Sequence, residues 1–132
     1  MTMLDVNLFG DGAVFDHVGI AVNSIRDMIP EGAQITPDET QRVSVAFVET
    51  HGIRLEFIEP LGEHAPIASS LEKGHKLVHL CFRVPELALA IESGRKNGFH
   101  CIAKPVPAKA FDDRKIAWLF SRTYGLIELL ES

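Results

Sequence analysis

The sequence predicts an α+β domain with a mostly antiparallel sheet, built from two similar modules, and three observations carry that expectation. The chain repeats itself: residues 15–22 read FDHVGIAV and residues 77–84 read LVHLCFRV, while residues 55–59 (LEFIE) are echoed by residues 127–131 (IELLE). The repeated segments are apolar, rich in β-branched and aromatic residues and bounded by turn formers, which is the pattern of half-buried or buried strands. Only one longer segment, 85–97, carries apolar residues at helical spacing.

The elements follow in order. A strand is expected over 14–22. Residues 23–41 then contain Pro30, Gly32 and Pro37, which leave room for little more than a helical turn near 24–29. Residues 43–50 (VSVAFVET) read as a strand, His51-Gly52 as a hairpin turn, and 53–59 as its partner. This completes a first module over about 14–60. The joint from Pro60, PLGEHAPIASSLEKGHK, reads as a loop with a short helix across 67–73. The second module, about 76–131, opens with a strand over 77–84. A helix follows over 85–97, with Pro85 at its start, Leu87, Ala90 and Ile91 on one face, and Gly98 as the stop. A strand over 99–103, a Pro-rich charged loop from Lys104, a strand over 116–120, a turn through 121–125 and a closing strand over 126–131 end the chain. Each half is thus of βαβββ type, the first with a shortened helix, within one domain spanning 1–132.

Composition narrows the function. A chain of 132 residues, 46% of them hydrophobic, can bury the core of one domain. No stretch approaches the roughly 20 apolar residues of a membrane span, and the N-terminal MTMLDVNLFGDG lacks the pattern of a signal peptide, so the expected compartment is cytoplasmic. Cys81 and Cys101 are expected as reduced thiols rather than a disulfide framework. A net charge of -5 without a long basic run argues against a nucleic-acid partner. Lys104, Lys109, Arg114 and Lys115 form a loose cluster that reads first as solvated surface, with contact to ligand phosphates as the minority alternative.

The repeat selects four polar residues. His17 and His79 occupy equivalent places in the first strands of the two modules, and Glu56 and Glu128 equivalent places in the closing strands. A buried ionised carboxylate without a partner costs several kcal/mol. Glu128 is nevertheless flanked by Leu126, Ile127, Leu129 and Leu130, and Glu56 by Leu55, Phe57 and Ile58. Taken singly, each histidine reads better as a hydrogen-bonded core residue, and each glutamate as solvent-facing or paired with Arg54 or Arg83. The matched repetition favours a shared divalent ion, because modules related by a pseudo-twofold axis bring equivalent positions together. His51, His64, His75 and His100 fall at turns, in the joint or at a strand start, where surface positions explain them.

The repeated histidine strand, the closing IELLE and above all the segment EPLGEHAPIASSLEKGHKLVHLCFRV from Glu59 resemble the vicinal oxygen chelate superfamily. That superfamily includes glyoxalase I, extradiol dioxygenases, bleomycin-resistance proteins and methylmalonyl-CoA epimerase, and the joint is most similar to the epimerase branch. The resemblance implies a U-shaped sheet around a divalent metal, with His17, Glu56, His79 and Glu128 at the family's metal positions. It also implies a homodimer. The chain departs from the epimerase pattern in the shortened first helix, in Val78 before His79, and in FDDRK before the strand at 116–120.

The expected activity is that of a metal-dependent isomerase or epimerase acting through an enolate on a small acyl thioester such as methylmalonyl-CoA, with Glu128 moving the proton. Glu39 ranks first as a second acid-base residue on the opposite face. The rivals are a glyoxalase I-like lyase and a non-catalytic small-ligand binding protein. Two imidazoles and two carboxylates suit Co, Ni, Zn, Mn or Fe alike. The shortened first helix suggests an exposed sheet face, covered either by Leu4, Val6, Leu8 and Phe9 or by a second copy in a homodimer.

Overall fold

The computed structural model describes residues 2–132. In chain order the elements are β1 (Val14–Ala21), β2 (Thr36–Asp38), β3 (Val43–Thr50), β4 (Ile53–Pro60), α1 (Ile67–Glu72), β5 (Leu77–Val84), α2 (Leu87–Lys96), β6 (His100–Cys101), β7 (Val106–Pro107), β8 (Lys115–Ser121) and β9 (Gly125–Glu131). A 3-10 turn over Lys109–Phe111 separates β7 from β8. The strands form one mixed sheet that curls into a half-barrel, the vicinal oxygen chelate fold. Its order is β2-β3-β4-β1-β5-β9-β8-β6, with β7 also paired to β8.

The repeat is written into the pairing. β1 pairs in parallel with β4, and β5 in parallel with β9; β4 then pairs antiparallel with β3, and β9 with β8. The modules meet through the antiparallel pair β1 and β5, so the pseudo-twofold axis runs between the two histidine strands. Every pairing other than the two parallel ones is antiparallel. β3 and β4 close as a hairpin with Thr50 opposite Ile53. Its two turn residues, His51 (φ 50) and Gly52 (φ 81), both adopt the left-handed conformation that a primed turn requires.

The helices obey their end signals. α2 stops in a Schellman arrangement: Gly98 (φ 89) donates to the carbonyl of Arg95, and Phe99 N–H to that of Gly94. Phe99 is then driven into the core beside Val84, Leu87, Leu119 and Leu129. The short helix of the joint ends one residue earlier than expected, at Glu72.

Some elements differ from expectation. The short edge strands β2 and β7 arise in segments that read as loop, because Pro37 and Pro107 sit where an edge strand tolerates a missing N–H. The strand expected over 99–103 shrinks to His100–Cys101. The exposed first-module face is the larger correction. Ile25, Ile29 and Ile35, carried by irregular turns, pack on Val22, Ala46 and Phe57 of that face. The N-terminal segment instead lies on the second module, where Phe9 joins the α2 core and Leu8 O accepts from Ser93 Oγ and Asn97 Nδ2. On β1, Val14 and Phe15 alone stay exposed.

Candidate metal centre

Strand register builds the site. Gly19 on β1 stands between Glu56 on β4 and His79 on β5, and Cys81 on β5 stands between His17 on β1 and Glu128 on β9. Each row across the sheet therefore holds one histidine, one glutamate and, between them, a small residue two places after the other module's histidine. The small residue is a steric requirement at Gly19, where a Cβ would collide with the imidazole of His79.

The four side chains converge in the concave face, at exposures of 0% for His17, 5% for Glu56, 6% for His79 and 3% for Glu128. His17 Nε2 lies 3.4 Å from His79 Nε2, 3.4 Å from Glu56 Oε1 and 3.2 Å from Glu128 Oε1. His79 Nε2 lies 3.4 Å from Glu56 Oε1 and 3.3 Å from Glu128 Oε1. A tetrahedron of ligands with bonds of about 2.1 Å has edges of about 3.4 Å, so these contacts match the edges of a divalent-ion cage. All four ligand atoms lie within one small cluster, and the two Nε2 atoms are also within hydrogen-bond reach of each other. Glu128 Oε1 is buried and, despite its two imidazole neighbours, makes no hydrogen bond. An orphaned buried carboxylate oxygen of this kind fits a cation and has no account as a packing residue.

The electrostatics agree. Burial alone pulls both imidazoles down, but the adjacent Glu128 and Glu56 carboxylates outweigh it and hold His17 at about 10 and His79 at about 9. For Glu128, burial pushes up while His17 and His79 pull down and prevail, to about 2. Without an ion, the two raised imidazoles thus stand as positive charges against the lowered Glu128 carboxyl. Cys81 is a free, buried thiol pushed far up, first by burial and then by Glu128 and Asp16, so it stays protonated and inert.

Around the quartet lies a shell that sequence reading did not anticipate. Strict alternation would send Asp16 and His17 to opposite faces. A bulge between Phe15 and His17 breaks it, and both residues are buried. His17 Nδ1 donates to Asp16 Oδ2 at 2.7 Å, which directs Nε2 toward the centre. Arg83 holds Asp16 Oδ1 at 2.7 Å and Arg54 holds Oδ2 at 3.3 Å, so the two arginines serve Asp16 and not the glutamates. Phe111 stacks on His17 with centroids 5.7 Å apart, and Trp118 meets His79 edge-on at 4.9 Å. The one legible signal was Phe111, an aromatic stranded in the charged loop before β8.

Above the quartet opens a cavity of about 710 Å³, with Glu56, His79 and Glu128 among its lining residues. Glu39 does not reach it. β2 turns Asp38 inward, and Glu39 falls in the following turn, exposed to solvent and outside the lining. Asp38 in turn has one oxygen on Gln41 N–H and the other on Lys109 N–H, so it ties the β2–β3 turn to the 3-10 turn. His75, read as surface, is exposed and also lines the cavity. No helix among the described residues is long and apolar enough to cross a membrane.

Comparison with known proteins meets this geometry. Residues 16–118 match the family described as the glyoxalase/bleomycin resistance protein/dioxygenase superfamily, and the chain belongs to it. It is 35% identical over 127 residues to the uncharacterized protein YqjC of Bacillus subtilis, covering 88% of this chain and 90% of that protein. It is 26% identical over 126 residues to the ethylmalonyl-CoA/methylmalonyl-CoA epimerase of Cereibacter sphaeroides, covering 86% and 94%. The crystal structure of methylmalonyl-CoA epimerase from Mycobacterium tuberculosis shares the fold, with a TM-score of 0.76, 24% identity, and 98% of this chain and 92% of that chain covered. Members of the superfamily bind divalent metals.

Proposed function

We propose that this chain is a metal-dependent epimerase that moves the proton on the carbon between two carbonyl groups of a small acyl thioester such as methylmalonyl-CoA. The observation that carries the reading is the convergence of His17, Glu56, His79 and Glu128 on one point beneath a cavity. The likeness to the ethylmalonyl-CoA/methylmalonyl-CoA epimerase of Cereibacter sphaeroides supports the substrate class. A divalent ion in the cage would supply Lewis-acid stabilisation of the negative charge that grows on two substrate oxygens.

The protein's own groups do the rest. Glu128 is the proposed base: its free Oε1 points at the site, and what holds its carboxyl down is the pair of imidazolium neighbours. An ion in the cage would hold a ligating carboxylate down in place of the imidazolium charges, so Glu128 would gain basicity from its buried surroundings only where its oxygen is released from the ion. Asp16 keeps His17 in one tautomer. Phe111 and Trp118 exclude water beside the two imidazoles. We place the enzyme in the cytoplasm as a symmetric homodimer. With the first-module face covered, the dimer rests on family resemblance and on exposed Val14 and Phe15, and light scattering that returns a single 14.6 kDa chain removes it.

The test is turnover by protein loaded in turn with Co, Ni, Zn and Mn. One stereoisomer of methylmalonyl-CoA in deuterated water is expected to lose its α-proton signal and racemise. Turnover of a glutathione hemithioacetal without exchange of the malonyl proton moves the protein to the glyoxalase class instead.

A further inference from the structure

The cavity is apolar well beyond what a methylmalonyl group needs. Above the quartet its walls are Val45, Ile58, Phe111, Ile116 and Trp118, and no lysine or arginine lines it among the described residues. Its volume of about 710 Å³ suits a drug-sized ligand, whereas a methylmalonyl head fills a small part of it. At its rim Leu77, Ile102 and Phe120 are 74%, 58% and 43% exposed, large hydrophobic residues left facing water beside an apolar interior.

We propose, building on the metal-centred reading above, that the substrate carries an extended apolar group on the carbon between its two chelating carbonyls: a longer 2-alkyl or 2-arylmalonyl thioester. The chemistry of the walls selects it. Apart from the cage, the polar side chains that line the cavity are Asp38, Gln41, Ser70 and His75. Both oxygens of Asp38 already accept backbone N–H groups, and Gln41 Oε1 accepts from Trp118 Nε1. A second free carboxylate, as glutathione carries, would find no lysine or arginine there to pair with. A hydrocarbon chain is stabilised by each methylene that leaves water.

Free 2-substituted malonates test the proposal without requiring turnover. Methyl-, butyl- and benzylmalonate are titrated calorimetrically into the zinc-loaded protein. Each buried methylene is expected to tighten binding about fourfold, so butylmalonate should bind on the order of 50-fold more tightly than methylmalonate. Replacing rim residues, Ile102→Glu and Phe120→Asp, should cut that ratio severalfold; both side chains are exposed, and a thermal melt checks that the fold is intact. Equal affinity across the series overturns the apolar subsite and leaves the chelation reading standing. Zinc that binds while no malonate binds overturns both.

Discussion

The two modules share their strands and differ in what covers them. In the second, α2 lies over the sheet; in the first, turns across residues 23–35 do so. Yet one anchoring contact survives in both. Leu87 N–H at the start of α2 donates to Glu131 Oε2 at 2.9 Å, and Ile25 N–H donates to Glu59 Oε1 at 2.8 Å. Ile25 and Leu87 stand at the same distance beyond Val22 and Val84, which end the repeated strands, and both are buried. Glu59 and Glu131 are likewise equivalent in the repeat. Pro30 and Gly32 stop the first module after a single turn, closed by Met28 N–H on Ile25 O. The outer face needs only apolar cover, which any chain path can deliver. The inner face needs side chains at fixed spacing, and there the strands have kept the repeat.

That inner face has its own asymmetries. Asp16 precedes His17 and holds its Nδ1, while the matching position before His79 is Val78. Gly19 is forced by the His79 ring, while its counterpart Cys81 tolerates a side chain. Glu128, not Glu56, carries the orphaned oxygen.

The largest expected effect separates the two glutamates. Glu128→Gln should lower α-proton exchange by about 100- to 10,000-fold while still binding metal, because the amide oxygen can ligate but cannot accept a proton. Glu56→Gln should lose less, and His79→Ala should lose both metal and turnover. A greater loss of exchange in Glu56→Gln than in Glu128→Gln would transfer the base to the first module.

The histidines predict a steep pH dependence. Both are raised, to about 10 and about 9, so both are protonated at neutral pH in the metal-free protein, and an ion must displace both protons. Metal affinity should therefore fall up to about 100-fold per pH unit below pH 9, and release of about two protons should appear in calorimetry run in two buffers. For the metal-free fold the sign is opposite. A raised imidazole stabilises it fully below its unfolded value near 6.5, and that contribution is lost as pH rises through about 9 and then 10. A flat affinity between pH 6 and 9 would mean that the imidazoles are neutral before the ion arrives.

Asp16→Asn should weaken metal binding about 10- to 100-fold by releasing His17 Nδ1, measured by competition with a chelating dye. Val78→Ala, at the same place in the second module, should leave metal affinity within a few-fold. Parity of the two variants would show that the Asp16 contact orients nothing.

Smaller effects concern stability. Gly19→Ala should cost about 1 to 3 kcal/mol by forcing the His79 ring aside, and Cys81→Ala about 1 kcal/mol or less, both from urea melts. Glu131→Ala and Glu59→Ala each remove a charge-assisted bond to a backbone N–H, worth about 1.5 to 3 kcal/mol. Equal losses would show that the anchor works as well without a helix as with one.

The sequence by itself determined the repeat, the principal strands, the α2 helix with its glycine stop, and which four buried polar residues the fold brings together. Each of those signals is local: periodicity, turn chemistry, or a polar residue in an apolar run. It misplaced Glu39, because one residue of register in a three-residue strand decides which side chain turns inward. Only the tertiary structure decided that Asp16 and His17 share a buried environment, since a bulge has no sequence period to reveal it. It also assigned Arg54 and Arg83 to Asp16, brought Phe111 from a distant loop onto His17, and laid Ile25, Ile29 and Ile35 over the first-module face. These contacts join segments far apart in the chain, and their partners are fixed by how the sheet curls rather than by neighbouring residues.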